Sequence, residues 1–125
     1  MKNVIIRNVY VVGMHHTGGK QFEVGPLHYC RHEPGNRKDC IAIGVYEDSH
    51  LHQRRCYLRR EDALNLKNVL NFAKGPCYLR AKMSPEKFSK LRGPMQNCSI
   101  GFRCCEQDAD SMAEILRSSF IYKIY

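Results

Sequence analysis

The chain reads as a mostly β domain, a small closed sheet of about six strands that carries two helices. Three observations lead there. Short runs of β-branched residues or clean apolar–polar alternation recur along the sequence, and only two stretches repeat at helical spacing. A sheet built from so many short strands hides its edges best by closing on itself. A length of 125 residues fits one domain, residues 1–125, with room for a sizeable core.

Val4–Ile6 and Val9–Val12 are rich in β-branched residues and predict one long first strand, ending at Gly13. A loop, His15-His16-Thr17-Gly18-Gly19, follows. Phe22 to His32 reads as strand with an interruption at Gly25-Pro26, a bulge or an edge. Ile41 to Tyr46 is a strand, Glu47 to Gln53 a polar turn, and Arg55 to Leu58 a short strand that runs into a helix. That helix is expected over Asp62 to Ala73, where Ala63, Leu66, Val69, Leu70 and Ala73 make one apolar stripe. Asp62, Asn65, Lys67, Asn68 and Asn71 form its wet side. Glu61 and Asp62 suit the positive end of its dipole, and Gly75-Pro76 stops it.

Cys77, Leu79, Ala81 and Met83 alternate with Tyr78, Arg80 and Lys82, a half-buried strand with a basic, aromatic outer face. Ser84-Pro85-Glu86 resembles a helix start, from which Phe88 and Leu91 would reach the core. Cys98, Ile100, Phe102 and Cys104 alternate in a further strand. A second helix is expected near Asp110 or Ser111, with Ser111-x-x-Glu114 as a capping box and Met112, Ile115 and Leu116 as its buried stripe. Phe120 to Tyr125 closes the chain as a strand.

Twenty Lys and Arg against twelve Asp and Glu give a net charge of +8, and the isoelectric point is about 9.3. Such a surplus favours polyanions, and the aromatics interleaved with the basic residues favour nucleic acid among them. No basic amphipathic helix and no long apolar run point to a membrane. No secretory signal is visible, so an intracellular protein is expected. No G-x-x-x-x-G-K-[ST] is present, so no ATPase is expected.

The seven cysteines, residues 30, 40, 56, 77, 98, 104 and 105, are odd in number and mostly sit in apolar alternating contexts. They read as reduced thiols, with Cys77 and Cys98 in the core, rather than as a disulfide framework. Zinc is a rival reading: Cys30-x-His32, Cys40, His50-x-His52 and Cys56 hold ligand chemistry, but no C-x-x-C pair anchors them. A thiol enzyme using Cys30 or Cys56 with a nearby His is a weaker one.

The most informative stretch runs from His32 to Val45. Pro34-Gly35-Asn36 is a turn, because proline pre-sets φ and Gly and Asn tolerate left-handed geometry. It presents one acid, Asp39, at the mouth of an apolar strand. A lone carboxylate in a cationic chain suits a ligand that is mostly anionic but ends in a donor. Two readings of Asp39 stand side by side: it caps its own turn by accepting backbone amides, or it accepts from a ligand.

Glu33, Pro34, Asn36, Asp39, Ala42, Ile43 and Val45 resemble the signature of the HIRAN family, although His32 fills a slot that is Arg there. Val11-Val12-Gly13-Met14 is similar to the family's first strand, and Cys56-Tyr57-Leu58-Arg59-Arg60-Glu61-Asp62-Ala63 to the segment that leads into its helix. The Cys98 to Tyr125 unit also fits in length and pattern.

The resemblance implies an OB-like β-barrel, and a non-enzymatic module that holds single-stranded DNA at its free 3′-hydroxyl end. It implies nuclear work in DNA repair or at replication forks, as a monomer, with a helicase, translocase or nuclease in trans. By position, Asp39 would accept from the terminal hydroxyl, Tyr57 would offer its ring and Arg60 would meet phosphate. His15 and His16 fall where the family has a basic residue and an aromatic, and Lys38 where an aromatic often lies. Outside the family pattern, Tyr78, Arg80 and Lys82 read as groove material or as an ordinary wet strand face. A protein-interaction module on the same scaffold is the alternative from another class, with a zinc-stabilised Cys/His domain behind it; no cofactor is expected.

Overall fold

The computed structural model describes residues 1–13, 22–47, 50–51, 53–82, 87–89 and 93–125. Eight strands and two helices follow in the order β1 (Lys2–Val12), β2 (Leu27–His32), β3 (Ile43–Tyr46), β4 (Arg54–Leu58), α1 (Arg60–Leu66), β5 (Cys77–Ala81), β6 (Lys87–Ser89), β7 (Gly93–Cys104), α2 (Ala109–Arg117) and β8 (Ile121–Ile124). Six of the strands close a barrel: β1 pairs with β7, then β5, β2, β3 and β4 follow, and β4 returns to β1. Every pairing is antiparallel. The mostly β, OB-like expectation therefore holds. β6 is added to β7, and β8 to the N-terminal half of β1.

Inward residues of β1, β5 and β7 interlock as the alternation predicts. Val4, Ile6, Val9, Val11, Leu79, Ala81, Cys98, Ile100 and Cys104 are all buried, with Met112 and Leu116 of α2 added to the same core. The long first strand is one element, but Asn8 is left-handed (φ 57°) and the register with β7 slips between Ile6 and Val9. The slip keeps Val4 and Ile6 on the same face as Val9 and Val11. Among the described residues no helix is long and apolar enough to cross a membrane.

Five expectations are corrected. The helix expected over Asp62 to Ala73 begins at Arg60 and stops at Leu66, and a 3₁₀ turn at Leu70–Phe72 follows. Lys67-Asn68-Val69-Leu70-Asn71 holds two Asn and a Val, all weak helix formers, and the tighter winding still buries both Val69 and Leu70. The capping box at Ser111 is absent. A 3₁₀ turn at Glu106–Asp108 delivers the chain to α2 already helical (Asp108 φ −89°, ψ −10°), so the extended cap geometry has no place and Ser111 lies inside the helix. Ile115 of the proposed stripe is exposed. Phe88 lies in β6 rather than in a helical turn; Ser84, Pro85, Glu86 and Leu91 lie outside the described residues. The strand expected from Phe22 begins only at Leu27, because Gly25 takes φ 112° ahead of Pro26, leaving Val24 a single bridge to Ala81.

All seven cysteines are free; Cys30, Cys56, Cys77, Cys98 and Cys104 are buried, Cys40 is exposed and Cys105 half-buried. Burial pushes the Cys98 thiol up to about 12 and the Cys56 thiol well above the ordinary range. Such thiols stay protonated and weakly nucleophilic at neutral pH. Titration of the native protein with a thiol reagent is therefore expected to release about two equivalents quickly, from Cys40 and Cys105, and the rest only after denaturation. Fast reaction of four or more would contradict this core.

Candidate nucleic-acid interface

Asp39 sits in the β2–β3 turn, and the turn is over-determined. The Asn36 amide donates to the Glu33 carbonyl (3.0 Å), and the Glu33 amide to the Ala42 carbonyl (2.8 Å). Asn36 Oδ1 accepts from the amides of Lys38 (2.9 Å) and Asp39 (3.1 Å). Asp39 Oδ1 accepts from the Ile41 amide (3.0 Å), which draws Ile41 into the turn and starts β3 at Ile43. His32 Nε2 lies 2.9 Å from the Cys40 carbonyl and ties the far end of the turn to β2. Neither Gly35 nor Asn36 takes a positive φ. Pro34 simply occupies the second position of a tight turn, and Asn36 works through its side chain.

The turn-capping reading of Asp39 holds, through one of its two oxygens. Oδ1 is used by the backbone, while Oδ2 faces the Arg60 Nε at 3.4 Å, with 33% of the Asp39 side chain and 65% of the Arg60 side chain exposed. Asp39 lines a cleft of about 250 Å³ together with Asn36, Lys38, Tyr57, Arg60 and Ala63. A wider groove of about 820 Å³ adjoins it and shares Asn36, Lys38 and Tyr57 as a common wall; Arg31, Arg37 and Arg54 complete its basic lining. Arg37 and Lys38 form no ion pair among the described residues.

Tyr57 is the hinge of this arrangement. Its hydroxyl accepts from Asn36 Nδ2 (3.3 Å), and the Arg54 guanidinium lies 4.4 Å from its ring centre. Strict alternation along β4 would put Arg54 and Tyr57 on opposite faces. A bulge at Arg55 changes that: Cys56 pairs with Val45 and Arg54 with Tyr46, so Arg55 is the extra residue. Arg54 is then held by the Glu33 carboxylate (3.2 Å), whose other oxygen accepts from the Tyr46 hydroxyl (2.9 Å). Burial, and then the bond to Glu33, hold the Tyr46 hydroxyl above its ordinary pKa.

Glu33 can lie there because residue 44 is glycine; a Cβ at Gly44 would coincide with Glu33 Oε2. Gly44→Ala is therefore expected to cost about 1–3 kcal/mol through overpacking. Its cost should shrink when Glu33→Ala is made in the same chain. Chemical denaturation of the two single variants and the double variant measures this; strict additivity would contradict it.

Arg60 is placed by α1, and α1 is anchored by a residue assigned to the wet side. Asp62 is 4% exposed. Its Oδ2 accepts from the Tyr10 amide of β1 (2.9 Å) and from Arg59 Nε (2.9 Å), and its Oδ1 faces Arg59 Nη2 (3.3 Å). The Arg59 guanidinium also lies over the Tyr10 ring at 4.6 Å.

The sequence-predicted residues thus divide. Asp39, Tyr57, Arg60 and Lys38 meet at one cleft. Tyr78, Arg80 and Lys82 lie in a different groove. His15 and His16 lie outside the described residues. Sequence reading missed Arg31, Arg37 and Arg54; the Arg-Arg pair before Cys56 was a visible signal, but the bulge that turns Arg54 onto Tyr57 was not. Cys30 and Cys56 of the proposed zinc set face the core, and no three His, Cys, Asp or Glu side chains gather among the described residues.

No protein-family model and no curated protein matches the chain. Solved structures do. The chain is similar to the HIRAN domain of human HLTF, with a TM-score of 0.69 over 94% of this chain and 91% of that one, at 15% identity. It is also similar to a protein from Lactobacillus plantarum, with a TM-score of 0.57 over 82% of this chain and 100% of that one, at 17% identity. The fold is a HIRAN-like barrel.

Proposed function

We propose that the chain binds single-stranded DNA and holds its free 3′ end in the cleft beside Asp39. The observation that carries this reading is the Asp39–Arg60 pair: a fixed carboxylate that lines a cleft and whose second oxygen faces an exposed guanidinium. An ionised carboxylate only accepts, so it suits a terminal hydroxyl and disfavours a terminal phosphate. An exposed ion pair contributes little to stability. Arg60 can therefore leave Asp39 for the last phosphodiester at small cost, which frees Oδ2 for the hydroxyl. Tyr57 and the Arg54 guanidinium on its face offer a stack to which a base can add. Arg31, Arg37 and Lys38 line the path of the preceding phosphates.

Recognition of this kind is sequence-tolerant, because it uses the sugar terminus, phosphates and base faces. On this reading the chain contributes binding, and a helicase, translocase or nuclease in trans supplies chemistry in repair or fork processing. Matched oligonucleotides ending in 3′-hydroxyl or 3′-phosphate test it by fluorescence anisotropy. The hydroxyl strand is expected to bind about tenfold tighter, the scale of one charge-assisted hydrogen bond. Equal affinity for the two ends would remove end recognition.

A further inference from the structure

Tyr78, Arg80 and Lys82 line a groove of about 320 Å³ across the outer faces of β5, β7 and β1, together with Arg7, Ser99 and Gly101. It shares no lining residue with the two concavities around Tyr57.

Register explains how its cations converge. Arg80 pairs with Ser99. Ile6 pairs with Ile100 and Val9 with Cys98, so the bulged residues Arg7 and Asn8 together oppose Ser99. Arg7 and Arg80 therefore flank Ser99 from either side, about 10 Å apart across two strand spacings. Lys82 lies two residues beyond Arg80, about 7 Å along the strand, and its amide donates to the Asn97 carbonyl (2.9 Å). No acid lines the groove. Arg7, Arg80 and Lys82 form no ion pair among the described residues.

The floor is open for a reason unrelated to packing. A Cβ on Gly101 would meet only the Val4 carbonyl oxygen, at an ordinary 3.7 Å, and Gly101 does not need a positive φ. Its missing side chain leaves space beside Tyr78, its cross-strand partner. Tyr78 is backed in turn by Tyr29, with ring centres 5.5 Å apart.

We propose that this groove is a second polynucleotide site, which takes the phosphodiester backbone of a strand without reading its end. The inference rests on the nucleic-acid reading above but not on its 3′-end recognition. Cations spaced over several ångströms along a trough, with an aromatic ring in its wall, match an extended polyanion with base faces. They lie in a groove and do not project from a raised surface, which suits a strand better than a bilayer. The site lets the domain grip a strand away from its terminus while the Asp39 cleft holds the terminus.

A covalently closed single-stranded DNA circle tests this, because it has no 3′ end. The wild-type protein is expected to bind the circle at low salt. The Arg80→Ala/Lys82→Ala double variant should weaken that binding at least tenfold. It should also flatten the slope of log K against log salt by about 1.4, the value for two phosphate contacts on a single strand. Gly101→Leu fills the trough without changing charge and should weaken circle binding as well. Failure of the wild type to bind the circle, or an unaltered affinity in the double variant, would overturn the groove and leave end recognition standing. Competition by anionic lipid vesicles against the circle would reassign the groove to a membrane surface and overturn it too. If circle binding follows Arg80 and Lys82 while linear strands show no preference for 3′-hydroxyl, the groove stands and the end reading fails.

Discussion

Replacing Asp62 with alanine is expected to destabilise the protein by about 3 kcal/mol, with the thermal midpoint falling on the order of 10 °C. The carboxylate is buried and satisfies three groups at once: the Tyr10 amide and two nitrogens of Arg59. Alanine leaves the amide without its acceptor and a partly buried guanidinium without its counter-charge, and breaking such a pair costs more than the pair itself contributes. Asp62→Asn keeps an acceptor for the Tyr10 amide and should cost clearly less. The damage should also reach the cleft, because Asp62 holds α1 on β1 and α1 carries Arg60. A denaturation midpoint for Asp62→Ala within the range of a neutral surface substitution, about 0.5 kcal/mol, would contradict this assignment.

Tyr57→Ala is expected to produce the largest loss of binding among the cleft residues, about 1–3 kcal/mol, or roughly 5-fold to 150-fold in affinity for a single-stranded oligonucleotide. Three features support that size. Tyr57 belongs to both concavities, its ring carries Arg54, and its hydroxyl holds Asn36, which in turn shapes the Asp39 turn. Tyr57→Phe keeps the ring and should lose far less. Equal losses from the two substitutions would mean that the hydroxyl, not the ring, carries the contact. An unchanged affinity in Tyr57→Ala would remove stacking from the account.

Much of the barrel was legible because alternation along a half-buried strand is a strong local signal. Cys77-Tyr78-Leu79-Arg80-Ala81 gave its inner and outer faces without ambiguity, and the burial agrees. What could not be read were features decided by tertiary partners. Asp62 looks solvated on any helical wheel; only the proximity of the Tyr10 amide makes it a buried staple. Two bulges, at Arg55 and at Arg7-Asn8, re-aim arginines in ways that period-two reasoning does not register. The capping box at Ser111 had the right spacing and lost to a preceding 3₁₀ turn that the local sequence does not announce. At the cleft, Asp39, Lys38, Tyr57 and Arg60 came from a resemblance over short motifs, and the structure brings these four together. Tyr78, Arg80 and Lys82 come from alternation along β5, outside that resemblance, and strand order in the barrel puts them in another groove.

The turn around Asp39 suits the end recognition proposed for this carboxylate. Its backbone bonds hold Oδ1, so the orientation of Oδ2 is set before any ligand arrives, and little ordering is needed on binding. Glu33, Gly44 and Arg54 extend that rigidity to the Tyr57 ring.

The most direct measurement compares the affinity ratio for 3′-hydroxyl and 3′-phosphate strands in the wild-type protein and in Asp39→Asn. The asparagine retains an oxygen for the Ile41 amide but brings a donor in place of a charged acceptor. A ratio near ten is expected in the wild type and should collapse towards one in the variant, with the phosphate strand gaining affinity. The same ratio in both proteins would contradict it.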